Sequence, residues 1–339
     1  MTIRRLTLTT AALLSSLALA ACSSTTGGSG TGGDSTGATI TIRIPEDGNS
    51  GVLALGKKDG SLARALAKVH AKVQWTGTSG PFAPAAQALD SNALDVAQGS
   101  ITSATAALAQ SPGFRLFAAT APDKLGEGII VKSDSPLHTV KDLAGRKVAV
   151  WHGGTAEYLL LKALQQNGVP VDQVQRVYLQ PNQIGPVYAS GQVDAWSTWA
   201  TYAVPQLAGG KSRFLVTGGE VGSENYAVWA VRTGFAEQHP EVVRAFYEYL
   251  HEAGLKQQAD PAAYLNVNTT AGPEAVSPAQ QAVQVPIDRA RGTVEPINGA
   301  DLEHFHTVAR FFADQGITKE YLDVKPYLID VAALPKEAR

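Results

Sequence analysis

Lys147-Val148-Ala149-Val150-Trp151-His152-Gly153-Gly154-Thr155-Ala156-Glu157-Tyr158-Leu159-Leu160-Leu161-Lys162-Ala163-Leu164 decides the fold class. Lys147 to Trp151 has the length and apolar character of a strand, Gly153-Gly154 is a turn, and Tyr158, Leu161 and Leu164 share one face of a helix that stops near Gly168. Thr39 to Ile44 repeats the unit near the start of the chain. Alternation of Thr or Arg with Ile predicts a half-buried strand, Pro45 to Gly51 breaks it, and Leu53, Leu62, Leu66 and Val69 predict one helical run behind it. Strands alternating with helices in this way predict parallel α/β sheets rather than a sandwich or a bundle. Late in the chain, Pro240 opens a helix with Val243, Phe246, Tyr247 and Leu250 on its apolar face. Leu302, Phe305, Val308 and Phe312 make a second such face after Gly299.

A chain of 339 residues is long for one simple core, so two domains are expected. A weak internal echo points the same way. Ala88-Leu89-Asp90-Ser91-Asn92-Ala93-Leu94-Asp95-Val96 resembles Val187-Tyr188-Ala189-Ser190-Gly191-Gln192-Val193-Asp194-Ala195, each a helix end followed by a strand that opens on an aliphatic-Asp pair. Common helix-turn-strand chemistry explains nine such residues equally well, so Asp95 and Asp194 read as strand-edge residues before they read as ligands.

Arg4 and Arg5 precede an apolar run from Ala11 to Ala20, the layout of a signal peptide over residues 1–21. The run is shorter than the roughly 20 apolar residues a membrane-spanning helix needs. Leu19-Ala20-Ala21-Cys22 resembles the bacterial lipobox, which implies that Cys22 becomes a lipidated N-terminus on the outer side of the cytoplasmic membrane. An ordinary cleavage site abutting a cysteine is the plainer alternative, and both Sec and twin-arginine export remain open. Cys22 is the single cysteine, which excludes an intrachain disulfide and a cysteine zinc site. Ser23 to Gly37 is nearly all Ser, Thr and Gly and reads as a flexible tether with a reach of about 20 Å. The G-x-G-x-x-G match at Gly28 to Gly33 has no strand before it and carries no cofactor reading. With 44% hydrophobic residues, 17% charged residues and a net charge of −2, the chain offers no basic surface for nucleic acid.

Lys141-Asp142-Leu143-Ala144-Gly145-Arg146-Lys147-Val148-Ala149-Val150, Gly153-Gly154-Thr155 and Leu159 to Leu164 resemble the substrate-binding proteins of nitrate/sulfonate/taurine-type ABC transporters. Ser190-Gly191-Gln192-Val193-Asp194-Ala195-Trp196, with Trp199 and Tyr202, is similar to the aliphatic-sulfonate-binding branch. Val73-Gln74-Trp75, Gly80-Pro81, Ala88-Leu89, Leu94-Asp95 and Gly99 resemble that branch's first-lobe segment, and Gly316-Ile317 through Asp323-Val324 its C-terminal end. Asp47-Gly48-Asn49-Ser50 departs from the commoner first loop, and Phe82 to Gln87 lacks an acidic residue often found before Ala-Leu; both departures bear on ligand identity more than on fold. The resemblance implies a type II periplasmic-binding-protein fold, two α/β lobes joined by two crossing strands. It places 38–124 and 232–339 in lobe I and 125–231, hinge included, in lobe II, with crossings near Ala121 to Gly126 and Asn225 to Val231. It further implies a monomer that captures a small organic solute, such as an aliphatic sulfonate, and hands it to a transporter permease.

Elementary electrostatics points to the same crevice, because helix N-termini present unpaired N–H groups to anions. The candidate loops are Asn49-Ser50-Gly51, Ser79-Gly80-Pro81, Gly99-Ser100 and Gly153-Gly154-Thr155, each between a strand and a helix. Any one of them is equally well a plain N-cap, contributing about 1 kcal/mol and no function. Trp196 is the favoured aromatic wall because it ends the Val193-Asp194-Ala195 strand; Trp199 ranks below it, Trp229 falls at the expected hinge, and core packing is the usual alternative for all three. Lys and Arg are scarce in these loops, which favours a monoanionic or neutral organic ligand over a dianion.

Enzyme readings find little support. Gly77-Thr78-Ser79-Gly80 is not a nucleophile elbow, no P-loop occurs, and His304 and His306 point different ways from a helix. His152, next to Gly153, reads as a surface or hydrogen-bonding residue ahead of a catalytic one. No metal or cofactor is expected. A pyrimidine-precursor synthase shares the implied fold and is the alternative of a different class, although its metal and cofactor-lysine pattern is not recognisable; a tethered ligand sensor without a transporter is the third reading.

Overall fold

The computed structural model describes residues 39–110, 113–121 and 124–337, so the signal segment, Cys22 and the Ser/Thr/Gly tether lie outside the described residues. The alternation at Thr39 to Ile44 becomes β1 (Ile40–Glu46), with Ile42 and Ile44 fully buried. The run behind it is two helices, α1 (Val52–Asp59) and α2 (Ser61–Ala67), because Gly60 at φ 72° ends the first and starts the second. The apolar spacing is continuous across that break, yet a left-handed residue interrupts the ladder whatever the faces do.

β2 (Ala71–Thr78), α3 (Phe82–Asp90), β3 (Val96–Ser100), α4 (Ile101–Leu108) and β4 (Phe114–Ala119) follow. Then come β5 (Glu127–Lys132), β6 (Lys147–Val150), α5 (Thr155–Gln166), β7 (Gln175–Tyr178), α6 (Pro181–Ala189), β8 (Ala195–Trp199), α7 (Ala200–Ala208), β9 (Ser212–Thr217) and α8 (Gly218–Val221). β10 (Ala227–Arg232), α9 (Thr233–Gln238), α10 (Pro240–Ala259), α11 (Pro278–Ala290), β11 (Glu295–Pro296) and α12 (Gly299–Asp314) complete the order.

Two sheets organise these elements. The second has the order β7-β6-β8-β5-β9. The first has β11-β4-β10-β3, extended by the parallel pair β1-β2 through a backbone bond from Asp95 N–H to Arg43 carbonyl at 3.0 Å. Strand for strand, β2-β1-β3-β10-β4 repeats β7-β6-β8-β5-β9. The sheets are mixed rather than wholly parallel, because β5 is antiparallel to β8 and β9, and β10 to β3 and β4. Both strands enter their sheet directly from the other one, without the crossover helix that a parallel connection requires.

The sequence echo marks this repeat. Asp95 N–H donates to Arg43 carbonyl while Asp95 Oδ2 accepts from Arg43 N–H at 2.9 Å; Asp194 N–H donates to Lys147 carbonyl while Asp194 Oδ2 accepts from Lys147 N–H at 2.8 Å. Each aspartate thus clips the chain just ahead of β3 or β8 to the neighbouring strand, at the middle of β1 or the start of β6. Asp95 is the more deeply set, and Arg43 and Arg232 both pair with its Oδ1, at 2.7 and 2.9 Å. Phe114, Phe117, Phe246, Phe305 and Phe312 fill the core around the first sheet, and Leu143, Leu159, Leu160, Leu164, Tyr188 and Trp196 the core around the second.

Candidate functional site

Between the two sheets lies a cleft of about 1040 Å³, and five helices start on it: α1 after Gly51, α3 after Pro81, α4 after Ser100, α5 after Gly154 and α7 after Trp199. Ser100 is a cap, accepting from Ser103 N–H at 3.2 Å while Ser103 Oγ accepts from Ser100 N–H at 2.9 Å. No side chain caps α1, α3, α5 or α7. The positive dipole ends of these four helices lie on the cleft, although at α7 the first N–H, from Ala200, is already donated to the Gly126 carbonyl at 2.7 Å.

Ser50, Gly80, Pro81, Gly99, Ser100, Gly154, Thr155 and Trp199 all line this cleft. Their roles differ. A Cβ on Gly80 would meet nothing within 4 Å, whereas one on Gly99 would stand 2.7 Å from the Phe82 ring, so Gly99 is a packing glycine.

Two expected residues are elsewhere. Asn49 is buried in its own loop, donating to Asn266 Oδ1 and to the carbonyls of Thr269 and Glu274, and accepting from the N–H groups of Asn268 and Thr269. It is a clamp that ties the β1–α1 loop to residues 266–274, with no capacity left for a ligand. Trp196 is 2% exposed and packs among Ile130, Ile184, Tyr188 and Ala203. Trp199 takes the cleft position instead, edge-to-face with Tyr202 at 5.0 Å. Trp229 lines the cleft from β10, and its buried ring N–H has no hydrogen-bond partner among the described residues.

A polar network joins the two sheets behind the α4 and α5 starts. Ser100 Oγ and Thr155 Oγ1 are 3.0 Å apart, and Thr155 Oγ1 lies 3.4 Å from Thr102 Oγ1. Asn225, just ahead of β10, accepts from Thr102 N–H at 3.2 Å and Thr102 Oγ1 at 2.8 Å, and donates to Glu127 Oε2 at 2.9 Å and Thr155 Oγ1 at 3.2 Å. All four bonds an amide can make are used. Nothing in the local sequence marks Asn225 as the hub of this network.

The Gly153-Gly154 loop has its own support. Glu157, 1% exposed in the first turn of α5, accepts from Gly153 N–H at 2.7 Å and pairs with His152 Nδ1 at 2.8 Å through one oxygen. Its other oxygen takes Tyr178 Oη and Arg176 Nη1. Burial, then the bond to Glu157, pushes the Tyr178 phenol up to about 12, so it stays a donor at any physiological pH. His152 is thereby a structural partner of Glu157, in keeping with its hydrogen-bonding reading.

Among the described residues, the ionisable side chains on the cleft are few: Asp47, Glu127, Asp288, Arg291 and His152, with no lysine. Arg291 lies 3.5 Å from Asp288, and Gln284 donates to the same Asp288 oxygen at 2.8 Å. Burial raises the Asp47 carboxyl above its ordinary range, and the Ser79 hydroxyl that donates to it offsets part of that rise. Among the described residues, no group of three or more His, Cys, Asp or Glu could hold a metal ion.

The cleft is also bridged. α11 packs against α10 on one side and α7 on the other, where Val283 and Ile287 meet Ala200 and Val204.

Residues 80–263, more than half of the chain, match the family described as NMT1/THI5 like. The chain belongs to the NMT1/THI5-like family. Within it, the chain is 26% identical over 299 residues to an Escherichia coli K12 protein named for binding aliphatic sulfonates, covering 84% of this chain and 91% of that protein. It is 31% identical over 227 residues to a Bacillus subtilis 168 protein of the same name, covering 66% and 68% of the two chains, and 34% identical over 177 residues to the taurine-binding periplasmic protein of Escherichia coli, covering 50% and 54%. These relatives are the branch the sequence resembles. The alkanesulfonate-binding protein SsuA of Xanthomonas axonopodis pv. citri, solved bound to MOPS, has a TM-score of 0.75 at 22% identity, covering 89% of this chain and all of that one. The fold is therefore that of the type II periplasmic binding proteins. The desulfurization enzyme DSZB shares it, with a TM-score of 0.61 at 19% identity over 85% of this chain and 96% of the enzyme. Fold alone thus does not separate binder from enzyme in the NMT1/THI5-like family.

Proposed function

We propose that this chain is the extracytoplasmic solute-binding component of an ABC importer and holds a small organic anion, an aliphatic sulfonate or a relative of one, in the cleft between its sheets. The observation that carries the reading is the convergence of the starts of α1, α3 and α5, none with a side-chain cap, with the hydroxyls of Ser50, Ser100 and Thr155 on a cleft that has no lysine among its described residues. A singly charged sulfonate has three acceptor oxygens to share among such donors and asks for no counter-cation. Ser50, Gly80, Pro81, Ser100, Gly154, Thr155 and Trp199 are the contact residues of this reading, and lobes 38–124 with 232–339 and 125–231 close on the ligand by hinge motion. Lipid on Cys22 would hold the trap beside its permease.

The names of the relatives support a binder over an enzyme, as does the use of His152 and Glu157 in holding a loop rather than facing a substrate. Thermal unfolding in the presence of alkanesulfonates tests the proposal. At a ligand concentration one hundred times Kd, a single site adds about 2.7 kcal/mol of stability. A midpoint unmoved by every sulfonate, and by nitrate and taurine, removes the sulfonate reading; loss of a sulfonate from solution with release of sulfite would show an enzyme instead.

A further inference from the structure

The sulfonate reading leaves open what the rest of the ligand is, and the cleft carries that information. Pockets for drug-sized molecules run from about 300 to 1,000 Å³. This one, at about 1040 Å³, has room for a ring system. Its wall agrees. Trp151, Trp199 and Tyr202 all line the cleft and are all partly exposed, unlike the core tryptophan Trp196. Trp199 and Tyr202 stand edge-to-face at 89°, an arrangement that leaves ring surface available for a further aromatic. Trp151 stands at the anion-facing end: its Cδ1 lies 3.7 Å from where a Cβ on Gly154 would be, beside the uncapped start of α5. Val204 and Pro205 continue the apolar surface along α7.

We infer that the cleft prefers an aryl sulfonate, its sulfonate at the helix starts near Gly154 and Thr155 and its ring against Trp151, Trp199 and Tyr202. The inference rests on the sulfonate reading of the preceding subsection. Isothermal titration of the purified protein with 2-naphthalenesulfonate, ethanesulfonate and taurine tests both separately. The naphthalene compound should bind about tenfold or more tighter than ethanesulfonate or taurine, since ring burial against aromatics adds to area burial. Trp199→Ala should narrow the naphthalene-to-ethane ratio by about threefold or more; Tyr202→Leu is the second variant should the first fail to fold. Ethanesulfonate or taurine binding as tightly as the naphthalene compound overturns the aryl assignment and leaves a sulfonate binder standing. A ratio unchanged by both substitutions overturns the placement of the ring. Binding of none of the three overturns the sulfonate reading itself.

Discussion

Replacing Asn225 by Ala measures how the two halves of the site are tied together. Four hydrogen bonds disappear: those from Thr102 N–H and Oγ1 to Asn225 Oδ1, and those from Asn225 Nδ2 to Glu127 Oε2 and Thr155 Oγ1. The hydroxyls have fallbacks, because Thr155 Oγ1 is 3.0 Å from Ser100 Oγ and 3.4 Å from Thr102 Oγ1. Thr102 N–H, buried in the first turn of α4, has none within its helix, and an orphaned buried donor costs about 1–3 kcal/mol. Losing a bond to a carboxylate costs about 1.5–3 kcal/mol more. The sum, about 4 kcal/mol, lowers the unfolding midpoint of a chain this long by about 6 °C. Differential scanning calorimetry of both proteins without ligand reads it directly. A midpoint within about 2 °C of the parent would refute the accounting and show that cleft water satisfies both groups. Asn225→Asp sharpens the test. Its carboxylate accepts from Thr102 as the amide does but faces Glu127 as a like charge, which raises carboxyl titration in the folded state above its unfolded value. Stability contributed by the protonated form is present at acid pH and lost as pH rises. The deficit of Asn225→Asp relative to the parent should therefore grow between pH 5 and pH 8; a constant deficit would mean that the two carboxylates do not interact.

Three further outcomes follow from the same structure. Glu157→Ala releases Gly153 N–H and His152 from their common acceptor, so sulfonate affinity should fall about tenfold while Glu157→Gln, which keeps one accepting oxygen, restores most of it; equal affinities in all three proteins would show the loop needs no support. Burial pushes the Asp95 carboxyl up, but hydrogen bonds from Arg43 and Arg232 outweigh it and hold it below the usual carboxylate range. That stabilisation is full above the ordinary unfolded pKa of about 3.9 and is lost as pH falls through the lowered native value. Asp95→Asn should accordingly be less stable near neutrality yet lose less on acidification, and parallel midpoint-versus-pH curves for the two proteins would contradict the pairing. Ile287→Ala removes apolar contact between α11 and α7 worth about 2 kcal/mol. If that contact holds the cleft closed over ligand, affinity drops by up to about thirtyfold; unchanged titration isotherms would make it a packing contact only.

The βα units were legible because their signals are local. Alternation at Thr39 to Ile44 and the 3.6-residue spacing of Tyr158, Leu161 and Leu164 need no distant partner to be read. The loops at Ser50, Gly80, Gly99 and Gly154 were legible for the same reason: a strand that ends in small residues and turns into a helix puts its N–H groups at the sheet's carboxyl edge. Gly60 was missed because the apolar face runs on through it, and the sense of β5 and β10 because a single sequence does not show which sheet a strand enters.

The sequence by itself determined the two α/β halves, the joints that offer helix ends to a ligand, and the scarcity of cations among them. Tertiary structure alone decided which side chains at those joints are free to use. Asn49 spends its amide on partners more than two hundred positions away. Trp196 and Trp199 sit on the same five-residue strand, yet only the one at its end reaches the cleft. Asn225 becomes a hub because α4, α5 and β5 meet there. In each case the deciding contact lies between residues far apart in the chain, and local periodicity carries no record of it.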